Sequence, residues 1–124
     1  MASEQIERAR WAPFFDSVTK NLIGKQAKIE VSSPDLGDQI EAHWAPLIGI
    51  TYDNKDNLIE IALEDLDHLI RSPREVFADA GALGIIAIAI ADGDGNQQII
   101  RLKDPLSLPA PSLGLGAAGN PDVR

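Results

Sequence analysis

The segment Leu47–Ile70, LIGITYDNKDNLIEIALEDLDHLI, constrains the fold more than any other part of the chain. Two runs of alternating apolar residues flank a polar turn, which is the pattern of an antiparallel hairpin with one buried face. Ile48, Ile50 and Tyr52 are expected on one face of the first strand, with Gly49 opposite them at a bulge or a close backbone approach. Asp53–Asn57 supplies the turn, because Asn and Asp tolerate left-handed backbone and cap their own N–H groups. Ile59, Ile61 and Leu63 line one face of the returning strand. Glu64, Asp65, Leu66 and Asp67 read as an acidic loop that ends at His68, where the chain leaves the hairpin. No recognisable catalytic or cofactor motif lies in this segment.

The remaining elements fit a β-meander with one helix. Trp11, Phe14, Phe15, Val18 and Leu22 recur at helical spacing, which predicts a helix over Ala12–Ile23. Pro13 suits its first turn, Gly24 its C-terminal stop, and Lys20 its dipole. Ala27, Ile29 and Val31 alternate with Lys28 and Glu30 as a half-buried strand, and Ser32–Asp38 is a turn cluster. Extended structure resumes at Ile40–Trp44, and Pro46 marks a bend, an edge or a bulge. His68–Phe77 is ambiguous, with Ser72-Pro73 as an interruption and a short strand over Arg74–Ala78. Ile85–Ala91 is a continuous apolar strand, buried on both faces either inside the domain or in a subunit interface. Asp92–Asn96 is a hairpin turn and Gln97–Leu102 the returning strand. The expected organisation is one domain over residues 1–105, followed by a flexible Pro/Gly/Ala-rich tail over 106–124, with Leu106 and Leu108 as docking points.

Composition sets the chemistry within reach. The 124 residues include no cysteine, which removes disulfides, thiolate metal sites and cysteine nucleophiles. A formal charge of −8 argues against general nucleic-acid binding. Charge is uneven: Glu4–Lys28 holds five basic and three acidic residues, Asp53–Asp67 six acidic and one basic. That asymmetry reads as solubility, or as head-to-tail contact between subunits or with a basic partner. No apolar run reaches the ~20 residues of a membrane span, and the first ten residues have no secretory apolar region, so a cytoplasmic protein is expected.

Each candidate motif has a plain alternative. Gly114, Gly116 and Gly119 spell G-x-G-x-x-G, but only five residues follow, too few for the helix that a dinucleotide needs. Asp92, Asp94 and Asn96 match the first ligands of a calcium loop, yet Gln97 and Lys103 stand where that loop needs Gly and Glu. No cofactor is therefore expected. Asp65, Asp67 and His68, with His43 as the other histidine, are the candidates for metal ligation, and Asp67 with His68 for acid–base chemistry; the same residues also read as a solvated loop. Ser72 between Arg71 and Arg74 suggests a small anion site. Trp44 and Tyr52, with Pro46 and Leu47, form an exposed patch or cover one end of the sheet; with Ile85 and Ile88 they are the interaction candidates.

The order of several short strings carries a resemblance. Trp11 with Phe14-Phe15-Asp16, then Ile29-Glu30-Val31, Gly37-Asp38-Gln39, Leu47–Asp53 and Asp67–Ile70 resemble an uncharacterised bacterial family, a domain of unknown function of about this length. The resemblance spans Trp11–Leu106 and implies bacterial origin but no activity. One helix followed by five or six meandering strands is also similar to Sm-like and SH3-like small barrels, several of which form RNA-binding rings; a ring of that kind needs a basic patch, here Lys20, Lys25, Lys28, Arg71 and Arg74. The sequence thus predicts an α+β, mostly β domain, an N-terminal helix on a bent antiparallel meander or small open barrel. Its expected role is a non-enzymatic module that forms homo-oligomers and binds a protein partner. The alternatives are an Sm-like RNA-binding ring and a metal or acid–base site at Asp65, Asp67 and His68.

Overall fold

Helical spacing of large apolar residues starts the core. In the computed structural model, which describes residues 2–21, 25–34 and 37–106, Trp11, Phe14, Phe15 and Val18 form the buried face of α1 (Trp11–Lys20). The helix ends earlier than its spacing predicts. Asn21 closes it, its Nδ2 donating to the Ser17 carbonyl at 2.8 Å and its backbone N–H to Val18 at 3.0 Å. Leu22 and the expected stop at Gly24 lie outside the described residues. Before the helix, β1 (Ala2–Ile6) is a strand that its polar sequence does not announce.

The other strands are β2 (Gln26–Ser33), β3 (Gly37–Asp53), β4 (Leu58–Leu63), β5 (Leu66–Arg71), β6 (Pro73–Gly81), β7 (Gly84–Asp92) and β8 (Gln97–Leu106). All pair antiparallel, in the order β1-β6-β7-β8-β2-β3-β4-β5. The mostly β expectation holds, with eight strands rather than five or six, and the sheet is not closed by pairing between β1 and β5. Two meanders, β2–β5 and β6–β8, are joined along β2 and β8.

The connection between the meanders dictates the shape. Only Ser72 separates β5 from β6, although six inter-strand spacings lie between them in the sheet order. In a flat sheet that separation is about 29 Å, whereas one residue bridges at most about 7 Å. The sheet therefore curls until the end of β5 meets the start of β6 at Ser72, and extra residues in β3, β6, β7 and β8 supply the bending. Inside the curl, Ile29, Ile50, Ile61, Ile70, Ile88 and Ile100 are fully buried with Phe15 and Trp11. Each such side chain contributes about 1.5–3 kcal/mol. Ile85 and Ile88 belong to this core, so their apolar character is accounted for within a single chain.

β3 is the structural hinge. Its first part pairs with β2 up to Pro46, and its second part, from Leu47, pairs with β4. Pro46, which has no N–H, falls where the β2 ladder ends, and its carbonyl accepts from Glu64 N–H at 3.0 Å. Ile48 departs from the expected alternation. It is the extra residue of a bulge between Leu47 and Gly49, so Leu47 and Ile50 point inward and Ile48 is 60% exposed. Beyond Pro46 the side of β3 that β2 leaves open is taken by α1. Thr19 Oγ1 donates to the Ile50 carbonyl at 3.1 Å and accepts from the Ile50 N–H at 3.0 Å. Gly49 permits the approach, because a Cβ there would stand 3.2 Å from Thr19 Cγ2.

The seam between the meanders has an ionic strap on its outer face. Arg101 Nε of β8 lies 3.0 Å from Glu30 Oε1 of β2, and Lys28 Nζ lies 3.1 Å from Oε2. The Arg101 guanidinium, assisted by Lys28 and opposed by partial burial, holds the Glu30 carboxyl below its ordinary value.

Two predictions follow from these contacts. T19V leaves both Ile50 backbone groups without their hydroxyl partner and lowers unfolding free energy by about 1–3 kcal/mol in urea titrations, while T19S retains most of it. For Glu30, a depressed folded-state value means stabilisation that is complete above the ordinary value of 4.5 and lost as pH falls through the folded value. The stability gap between wild type and E30Q, under about 1 kcal/mol at neutral pH, closes as the pH is lowered through that window.

Candidate functional site

The acidic stretch that the sequence marks as a loop is mostly strand. Only Glu64 and Asp65 form the turn; Leu66 and Asp67 already belong to β5, which pairs with β4 from Leu63↔Leu66 to Leu58↔Arg71. The outward positions Asp67, Leu69 and Arg71 hide the alternation, and His68 replaces an apolar residue on the inward side between Leu66 and Ile70. Asp67 and His68 consequently face opposite sides of the sheet. Asp65 and Asp67 are exposed, and His43 is exposed on the β2-paired part of β3. Among the described residues no group of three His, Asp or Glu side chains is placed to hold a metal ion.

His68 instead enters a polar chain across the curled sheet. Its Nε2 hydrogen-bonds Gln98 Oε1 of β8, and Gln98 Nε2 donates to Asp92 Oδ2 at 2.8 Å. Gln98 and Asp92 are both buried. Asp92 Oδ1 accepts from the Asp94 N–H at 2.9 Å and the Asn96 N–H at 3.0 Å. The residues that resemble a calcium loop thus form a tight turn around a carboxylate that points into the protein. Each buried group in the chain finds a partner, which is what keeps a polar cluster tolerable in an apolar interior. The sequence signal for it was present in β8, where Gln98, Ile100 and Leu102 share the inward side and the first of them is polar.

A second cluster sits at the N-terminal end of α1. Arg8 Nη1 donates to Tyr52 Oη at 3.1 Å and Asn57 Oδ1 at 3.3 Å, and Nη2 donates to the Pro73 carbonyl at 3.0 Å. Its guanidinium also lies 4.3 Å from the Trp11 ring, which meets Tyr52 edge-on with centroids 5.0 Å apart. Arg8 therefore ties the N-terminal turn to β3, the β3–β4 turn and the start of β6. Tyr52 is half-buried in this tie, while Trp44 is exposed with Lys28 Nζ 5.2 Å from its ring. A shallow groove of about 390 Å³ beside Arg8, lined by Ala9, Ala12, Tyr52 and Asn54, holds no pair of groups suited to proton transfer. Of the cations suggested as an RNA patch, Lys25 bonds the Pro105 carbonyl at 3.2 Å and Lys28 pairs with Glu30, leaving Lys20 exposed at the end of α1 and Arg71 and Arg74 exposed beside Ser72. Gly114, Gly116, Gly119 and Leu108 lie outside the described residues, whereas Leu106 is buried at the end of β8.

The fold and its polar clusters define a small, mostly β protein with one N-terminal helix and an open, curled antiparallel sheet. The chain belongs to a family of unknown function (DUF5335), which it matches over residues 2–111. It is 36% identical over 110 residues to an uncharacterised protein of Aquifex aeolicus (strain VF5), covering 88% of this chain and 99% of that one. No solved structure matches it, so the likeness to Sm-like barrels gains no support. No helix among the described residues is long and apolar enough to cross a membrane.

The His68 chain fixes a tautomer. Gln98 Nε2 faces Asp92, so the oxygen of the same amide faces His68 and requires a hydrogen on Nε2. At alkaline pH, long-range ¹H–¹⁵N correlation is expected to report His68 in the Nε2–H form. D92N presents an NH₂ to Gln98, turns its amide over, and moves His68 to the Nδ1–H form.

Proposed function

We propose that this protein is a non-enzymatic interaction module that works by self-association through β5. The reading rests on the state of that strand. β5 is one end of the sheet order, and its outer residues Asp67, Leu69 and Arg71 are exposed. Leu66 and Leu69 are 41% and 43% exposed. Sheet edges in monomeric proteins are blunted by charged side chains, lysine above all, by proline, by bulges or by short length. β5 has six residues without lysine or proline, its two edge charges, Asp67 and Arg71, are of opposite sign and so do not exclude a second copy, and its ladder with β4 runs without a register shift. The opposite edge, β1, is blunted in the ordinary way: it has five residues and carries the charge of Glu4. An edge left adhesive in this manner pairs with another strand, and the strand always present at matching concentration is a second copy.

Sedimentation velocity across a concentration series tests this. The expected result is a reversible shift from monomer to dimer; a compact monomer at every loading overturns it. L69P isolates the edge from the fold. Leu69 stands opposite Glu60 at a position whose N–H points away from β4, so proline removes no ladder bond and the variant is expected to fold as a monomer.

A further inference from the structure

The backbone and the side chains of β5 together specify how two copies meet. The two-residue turn Glu64-Asp65 is flanked by the pair Leu63↔Leu66, and at the other end of the hairpin the Ser72 N–H donates to the Asn57 carbonyl at 2.9 Å. Antiparallel pairs alternate between those that exchange hydrogen bonds and those that do not. The pairs 57/72, 59/70, 61/68 and 63/66 are therefore the bonded ones, and Asp67, Leu69 and Arg71 turn their N–H and C=O groups to the free edge. Their side chains share the outer face of the sheet.

Resting on the self-association reading, we propose that two copies pair antiparallel along β5 about a two-fold axis at Leu69, with Asp67 of each copy opposite Arg71 of the other. Paired residues in adjacent strands face the same side, so a two-fold pairing of identical strands must be centred on a residue whose bonding groups face the partner or midway along the same parity. Centring on Leu69 places all three edge residues in the new ladder. Leu69 then meets Leu69, and the two ends each join a carboxylate to a guanidinium. Shifting one position either way sets Leu69 against Asp67 or against Arg71, an apolar side chain against a charge. The order Asp-His-Leu-Ile-Arg at residues 67–71 is thus self-complementary when reversed. Six backbone hydrogen bonds close the join and merge two eight-stranded sheets into one. A join of one strand pair is small beside the ~1,200–2,000 Å² of a stable interface, so the association is reversible and depends on these few contacts.

Charge exchange tests the register. D67R sets a guanidinium opposite Arg71, and R71D sets a carboxylate opposite Asp67, so each variant alone carries two like-charged pairs. Each is expected to dimerise at least about tenfold more weakly than wild type, since like charges directly opposite repel across strands. An equimolar mixture of D67R and R71D contains only opposite charges across the join and recovers dimerisation, as does the double variant D67R/R71D. Recovery on mixing also shows that the single variants are folded. If wild type dimerises and L69P does not, yet D67R, R71D and their mixture all behave as wild type, the register is wrong and the self-association reading stands. If wild type is monomeric throughout, that reading itself fails and this one with it.

Discussion

The rest of the structure depends on one short joint. Ser72 connects strands that are distant in the sheet order, so the two meanders have to lie against each other before either can bury its inward side chains. The joint is held from several directions. Ser72 adopts a left-handed backbone with φ of 52°, its N–H reaches the Asn57 carbonyl, and Arg8 grips the next carbonyl along the chain. Gly93 of the β7–β8 turn packs directly on it, since a Cβ there would stand 3.1 Å from Ser72 Cβ. That contact brings the β7–β8 hairpin beside β5, the proximity that lets Gln98 reach His68.

The polar chain beside this joint and the apolar core answer the same requirement in different ways. Apolar side chains fill the middle of the curl, where no water can satisfy a polar atom. Near the β7–β8 turn the backbone itself presents N–H groups inward, and Asp92 accepts two of them. A carboxylate so placed needs a further donor, which Gln98 supplies; Gln98 then has an oxygen left over, which His68 satisfies. The histidine that stands out in the sequence is the last member of a series that begins with the geometry of a turn.

Much of this architecture was legible from residue pattern. The face formed by Ile59, Ile61 and Leu63, the Asp53 turn and the helix stripe from Trp11 to Val18 follow from local periodicity, and the structure has them where the pattern puts them. Three features were hidden because their causes are not local. Ile48 reads as inward until the bulge beside it shifts the phase, and the bulge exists to bring Gly49 under Thr19. β5 reads as a loop because its inward positions include a histidine whose partner is 30 residues away. β1 reads as polar because it is an edge strand, and its place is decided by β6. The assembly candidates divide likewise: Ile85 and Ile88 are apolar because the chain's own core needs them, and only exposed side chains such as Trp44 remain available to another molecule.

The joining of β2 to β8 has a consequence for the order of events at the ribosome. Glu30 and Arg101 are 71 residues apart, and at about 5–20 residues per second the first waits roughly 4–14 s for the second. During that interval the β2–β5 meander has every local contact it needs, but β2 remains bare along the side that β8 will occupy. β1 is in the same position, since its partner β6 is also made late: Gln5 meets Glu75 across 70 residues. The nascent chain therefore passes through a stage in which an unfinished sheet is open at β2 as well as at β5, and the arrival of the last strand seals the first of these and leaves the second.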